Sequence, residues 1–160
     1  MPDGSTPNLA PALQRVKSSA SAPSPYWIQL AFDASQLEQC MWSFRMPADY
    51  ASAPVLKVMF KMTSATTGNV IINGRLAAVS DGDSTDVDAK AFATVNTSSA
   101  TAVPGTAGFL KEISLTLTNA DSVAAGDFVV AYLARDGASG SDTATGDMEV
   151  TAVAITYTTV

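Results

Sequence analysis

The sequence predicts an all-β fold: an antiparallel two-sheet β-sandwich, jelly-roll-like, with an extended N-terminal arm. Three observations carry this prediction. From Tyr26 onward, apolar residues recur at every second position in run after run, the period of a half-buried strand. Clusters of Gly, Asn and Asp separate the runs, and those residues tolerate the backbone angles that tight turns need. No long segment has the helical period. The chain therefore divides into an arm, residues 1–25, and a sandwich domain, residues 26–160.

The arm holds Pro2, Pro7, Pro11, Pro23 and Pro25. Proline at this density opposes helix interiors and central strands. A short helical turn is expected between Pro11 and Ser18, where Leu13 and Val16 are spaced i, i+3. Fully extended, such an arm reaches ~80 Å at ~3.3 Å per residue.

Eight strands are then expected. Tyr26 to Phe32 places Tyr26, Ile28, Leu30 and Phe32 on one face and Trp27, Gln29 and Ala31 on the other. Met41 to Met46 is the second run. Val55 to Thr63 alternates most cleanly, with Leu56, Val58, Phe60 and Met62 inward and Lys57 and Lys61 outward. Asn69 to Val79 points Val70, Ile72 and Leu76 inward and Asn69, Asn73 and Arg75 outward. Phe92 to Asn96 is a short candidate. Lys111 to Thr118 buries Ile113, Leu115 and Leu117. Phe128 to Arg135 and Met148 to Thr159 complete the set; the last is rich in β-branched Thr and Val. Eight strands in two sheets is the jelly-roll count. An immunoglobulin-like sandwich is the alternative, though its paired cysteines are missing.

Composition narrows function. The 160 residues carry a net charge of −6, with 47% hydrophobic and only 15% charged. Ala, Ser and Thr fill 61 positions, so small neutral groups must cover much of the surface. That hydrophobic fraction argues against disorder. No apolar run is long enough to suggest a membrane span. The acidic balance lacks the basic stripe of a nucleic-acid binder. The N-terminus has neither the basic nor the apolar region of a secretory signal.

There is no histidine, and Cys40 is the one cysteine. Ser-His-Asp and Cys-His nucleophile arrangements need a histidine this chain does not have. The usual zinc ligand sets and an intrachain disulfide are equally out of reach. Cys40 reads as a small buried hydrophobe. Asp81, Asp83, Asp86 and Asp88 form the densest acidic cluster. Counted from Asp81, the positions that need Gly and Glu in an EF-hand are Asp86 and Phe92, so the pattern fails. Whether this loop binds calcium is left open, as it is for Asp136, Asp142 and Asp147. Asp147 is expected to pair with Arg135. No carboxylate pair stands out as a glycosidase dyad. Tyr26, Trp27, Trp42, Tyr50 and Tyr132 are candidates for a sugar-stacking platform, against the simpler reading that the tryptophans are core. No catalytic residue, cofactor or metal ligand is assigned, and the chain reads as a non-enzyme.

Charge is uneven: residues 1–61 carry a net of +1 and residues 62–160 a net of −7. The candidate partner-binding residues lie in the arm: Leu9, Leu13, Arg15, Val16 and Lys17. Its bases suit an acidic neighbour, including a second copy. Burying Leu9, Leu13 and Val16 would contribute several kcal/mol at ~25 cal/mol/Å², before ordering costs.

Three stretches resemble small β-sandwich virion proteins of tailed bacteriophages. They are Trp42-Ser43-Phe44-Arg45-Met46-Pro47-Ala48-Asp49-Tyr50, then Asn119-Ala120-Asp121-Ser122-Val123-Ala124-Ala125-Gly126-Asp127, then Arg135-Asp136 with Asp142-Thr143-Ala144-Thr145-Gly146-Asp147. The resemblance spans roughly residues 40–158. It implies a capsid decoration, or cement, protein on the virion surface that bridges major capsid protein subunits. The expected partners are the major capsid protein and a homo-oligomer, a trimer, with no nucleic acid and no membrane. A tail or fibre component, or a carbohydrate-binding module, is the alternative. The resemblance assigns no functional residue.

Overall fold

A computed structural model describes residues 10–160. It has eleven strands: β1 (Ala12–Lys17), β2 (Tyr26–Phe32), β3 (Leu37–Arg45), β4 (Tyr50–Met62), β5 (Asn69–Val70), β6 (Ile72–Val79), β7 (Asn96–Thr97), β8 (Thr101–Ala102), β9 (Lys111–Thr116), β10 (Phe128–Asp136) and β11 (Met148–Thr159). A five-stranded sheet runs β1-β2-β11-β4-β9. A four-stranded sheet runs β3-β10-β6-β7, and β5 pairs with β8. Every pairing is antiparallel. This is the predicted antiparallel, jelly-roll-like sandwich.

The core follows the alternation. Leu56, Val58, Phe60 and Met62 of β4 are buried against Ile113 and Leu115 of β9 and Ile72 and Leu76 of β6. Leu117 lies just beyond β9 and is also buried. Its N–H donates to the Pro54 carbonyl (2.9 Å). Gly74 of β6 sits where Leu115, Leu117 and Leu56 crowd the sheet, and an added Cβ would lie 2.9 Å from Leu115 Cδ2.

The structure revises several local expectations. Pro11 to Ser18 is no helical turn. Its central residues form β1, whose backbone groups pair with β2 from Ala12↔Ala31 to Lys17↔Tyr26; a lone turn of helix has no such partner for its end groups. Asn69 to Val79 breaks at Ile71, because the Ile71 N–H donates to Asp142 Oδ2 (3.0 Å) instead of a neighbouring strand. Phe92 is not in a strand: its ring packs edge-on to Tyr132 at 5.8 Å, and the strand begins at Asn96. β1, the break at Ile71 and β8 raise the expected eight strands to eleven.

The larger revision concerns β2. Leu30 and Phe32 face the core, but Tyr26 and Ile28 on the same face do not. β2 pairs with β11 only over Met148–Val150. A bulge follows between Val150 and Ala152, bending the strand as extra residues do. Beyond it, β1 and β2 leave the sheet as a two-stranded ribbon, and β11 continues to Thr159 paired with β4 alone. Tyr26 is 56% exposed and Ile28 64%.

The three stretches carrying the sequence resemblance serve as corners of the sandwich. The end of β3 and the loop before β10 bind each other: Met46 N–H donates to the Asp127 carbonyl and Gly126 N–H to the Met46 carbonyl, both 2.9 Å. Arg45 Nε also donates to the Gly126 carbonyl (2.9 Å). Asp127 Oδ2 accepts from Ala124 N–H (2.7 Å). The third stretch forms a buried clamp. Arg135 is 1% exposed, and it pairs with Asp142, not with Asp147 as the sequence suggested. Nε and Nη2 donate to the two carboxylate oxygens at 3.1 and 2.8 Å. The remaining Arg135 donors reach the carbonyls of Phe32, Ala144 and Gly146. The Ile71 N–H also donates to the Asp142 carboxylate (3.0 Å), which holds Asp142 at the guanidinium.

Candidate functional site

The outer face of the five-stranded sheet is built by the same alternation that builds the core. β2 turns Trp27, Gln29 and Ala31 outward, opposite Val16, Gln14 and Ala12 of β1. β11 and β4 add Glu149 and Lys61, which lie opposite one another in register. Trp27 Nε1 donates to Gln29 Oε1 (2.9 Å), and Gln29 Nε2 donates to Gln14 Oε1 (2.8 Å). The two amides hold the indole and fix its orientation. Beside it, Lys61 and Glu149 form a largely buried ion pair. Burial lowers the Lys61 ammonium below the ordinary lysine value, because desolvation disfavours the charged form.

The loop after β8 closes the site. Gly108 N–H donates to the Met62 carbonyl (3.1 Å), which pins that loop to the end of β4. Gly108 has φ +82°, a conformation glycine adopts without strain. The exposed Phe109 and Leu110 follow it. The result is an open groove of about 340 Å³ lined by Trp27, Lys61, Gly108, Leu110 and Thr151. A ring and an apolar side chain beside an ammonium and a hydroxyl can hold a ligand with apolar faces and polar edges.

A second apolar feature lies where β2 has left β11. Trp42, Phe44, Met46 and Pro47 from β3 and its corner face Val153, Ile155 and Tyr157 of β11 across a cleft of about 190 Å³. Tyr157 donates its hydroxyl to Asp49 Oδ1 (2.9 Å) at the rim and its ring packs 5.4 Å from Tyr50.

The aromatic candidates are thus not gathered on one surface. Trp27 belongs to the outer groove, and Tyr26 to the opposite face of the ribbon. Trp42 packs at the edge of the core and Tyr50 is buried in it, while Tyr132 lies beneath Phe92. Neither tryptophan is fully buried. Of the arm residues, Leu9 lies outside the described residues. Leu13 is 73% exposed. Arg15 and Lys17 are also exposed and stand over the Tyr26 ring, 5.1 and 5.8 Å from its centre. Val16 is half-buried on the Trp27 face.

Asp86 caps a short 3-10 turn, Val87–Ala89, by accepting from Asp88 N–H (3.0 Å). Asp83 accepts from Ser80 N–H (3.2 Å). Among the described residues, no three His, Cys, Asp or Glu side chains cluster to hold a metal ion. Sequence reading placed Lys61 outward but did not find the Trp27 groove. Leu110 and Thr151 lie far from Trp27 in sequence, and only strand order brings them together.

No protein-family model matches the chain, and no curated protein does. Among solved structures, the chain overlaps TmCBM61, determined in complex with β-1,4-galactotriose. The identity is 13%, and the overlap covers 92% of this chain and 83% of that one with a TM-score of 0.43. A match this distant assigns neither a ligand nor a residue role.

Proposed function

We propose that this chain is a non-catalytic β-sandwich binding module that holds a saccharide on the outer face of its five-stranded sheet. The observation that carries this reading is the Trp27 groove. A sugar ring has apolar C–H faces and hydroxyl edges. The indole offers a stacking surface, held in orientation by Gln29 and Gln14, and Lys61 and Thr151 line the same groove for the hydroxyls. Shallow grooves of this kind suit binding along a chain of sugars better than enclosure of one small molecule. The test is a glycan screen on the whole chain, followed by titration of the best hit. Trp27→Ala is expected to lower affinity at least tenfold with the fold intact, while Phe92→Ala, whose ring packs against Tyr132 of the four-stranded sheet, leaves it unchanged. Absence of any glycan hit, or equal loss in both variants, overturns the reading.

A second reading is capsid decoration, with the major capsid protein as partner and the virion surface as location. It is favoured by the surface of small neutral residues and by the resemblance of residues 40–158 to phage virion proteins. Its test is the ratio of this chain to the major shell protein in purified particles. A ratio near one, or a simple fraction of it, supports a lattice-wide decoration protein. A few to a few tens of copies points to a tail or fibre position, where glycan binding would serve attachment.

A further inference from the structure

We propose that the β1–β2 ribbon of one copy docks in the Trp42–Tyr157 cleft of a second copy. The inference rests on the two halves of a contact that the described residues carry but do not close on themselves, and it is independent of the saccharide groove.

The first half is the ribbon's core-side face. Leu13, Arg15 and Lys17 of β1 lie across from Leu30, Ile28 and Tyr26 of β2. This face is continuous with the core at Leu30 and Phe32, and it emerges from the sandwich once β2 parts from β11. Leu13, Ile28 and Tyr26 are 73%, 64% and 56% exposed. A two-stranded ribbon that exposes Leu13, Ile28 and Tyr26 beside two cations is marginal in water unless a neighbour covers it.

The second half is the place β2 vacated. Among the described residues, β11 from Ala152 to Thr159 pairs with β4 on one side only. β3, at the edge of the other sheet, pairs among the described residues with β10 alone. Between these two open edges lie the apolar side chains of Trp42, Phe44, Ile155 and Tyr157. The cleft therefore offers what an incoming strand needs: apolar surface for its side chains and unpaired backbone groups beside it.

Charge selects the occupant. Residues 12–32 carry Arg15 and Lys17 and no acid, a net of +2. The chain's net charge is −6, which leaves −8 for everything else. Among the described residues, no lysine or arginine lines the cleft, and Asp49 hydrogen-bonds Tyr157 at its rim. A basic ribbon is drawn to an acidic body with an acidic-rimmed cleft, and a second copy presents that body. The contact is head-to-tail, so it closes either by reciprocal exchange in a dimer or by a ring.

The experiment is light scattering coupled to size-exclusion chromatography on the whole chain across a concentration series. The expected mass is a discrete multiple of 16.5 kDa that falls toward one copy on dilution. Leu13→Asp with Ile28→Asp alters two exposed positions, so the fold is retained, checked by an unchanged circular dichroism spectrum. That variant is expected to run as a single copy at concentrations where the parent assembles. Arg15→Glu with Lys17→Glu is expected to weaken assembly at least tenfold, and Asp49→Lys added to it to restore part of the loss. A parent that stays at 16.5 kDa up to its solubility limit overturns the proposal. So does assembly untouched by both ribbon variants, which would place the interface elsewhere.

Discussion

Asp142→Ala tests the structure at its most deeply buried charge. Asp142 accepts three hydrogen bonds: two from Arg135 at 3.1 and 2.8 Å and one from the Ile71 N–H at 3.0 Å. Both side chains of the ion pair are fully buried. Truncation leaves the guanidinium with only carbonyl acceptors on Phe32, Ala144 and Gly146, in a place water does not reach. Removing one partner of such a pair costs about 3–5 kcal/mol, because a buried charge is left uncompensated. In a chain of this size each kcal/mol lowers Tm by about 2–4 °C, so the loss is roughly 6–20 °C.

The assay is urea unfolding followed by circular dichroism and tryptophan fluorescence, with protein concentration held constant. The midpoint is expected to fall with m unchanged. Asp142→Asn keeps an oxygen for Ile71 or Arg135 and is expected to lose less. Lys57→Ala is the contrast, since the Lys57–Glu112 pair (2.9 Å) is solvent-exposed on both sides and such pairs contribute about 0–1 kcal/mol. An Asp142→Ala variant within about 1 kcal/mol of the parent would refute the clamp, because it would make the buried pair equivalent to the exposed one.

Two further outcomes follow from packing and burial. Gly74→Ala would put a methyl 2.9 Å from Leu115 Cδ2 and 3.0 Å from Leu117 Cδ2; it is expected to cost about 1–3 kcal/mol in the same unfolding assay, and a neutral result would mean the two leucines re-pack freely. Burial pushes the Cys40 thiol up to about 11. The fold thus favours the neutral thiol, and the reactive thiolate appears only as pH rises toward that value. Native-state labelling with a disulfide reagent is expected to be slow at neutral pH and to accelerate only in strong alkali. Rapid labelling at neutral pH by the folded protein would contradict the burial.

Much of the sandwich is legible in the chain, and the reason is local. A strand alternates its side chains between two faces, so Leu56, Val58, Phe60 and Met62 identify β4 and its buried side without reference to any partner. Ile113, Leu115 and Leu117 do the same beside β9. The missing histidine and the solitary cysteine likewise exclude His-based nucleophile arrangements, the usual zinc ligand sets and an intrachain disulfide from the sequence alone. Alternation states that a strand has two faces. It does not state what covers each one.

That is why Tyr26 and Ile28, patterned like Leu30 and Phe32, are exposed: the neighbour that would cover them departs at a bulge more than a hundred residues away. It is also why Trp27 reads as core in the sequence yet stands beside Lys61, Leu110 and Thr151 on an outer face. The partner of Arg135 depended on a loop closing over Ile71, which put Asp142 rather than Asp147 at the guanidinium. The period of the side chains is set within a few residues by backbone geometry. The groove, the clamp and the bare ribbon come from strand order and from where pairing stops, and those are set by contacts between residues distant in the chain.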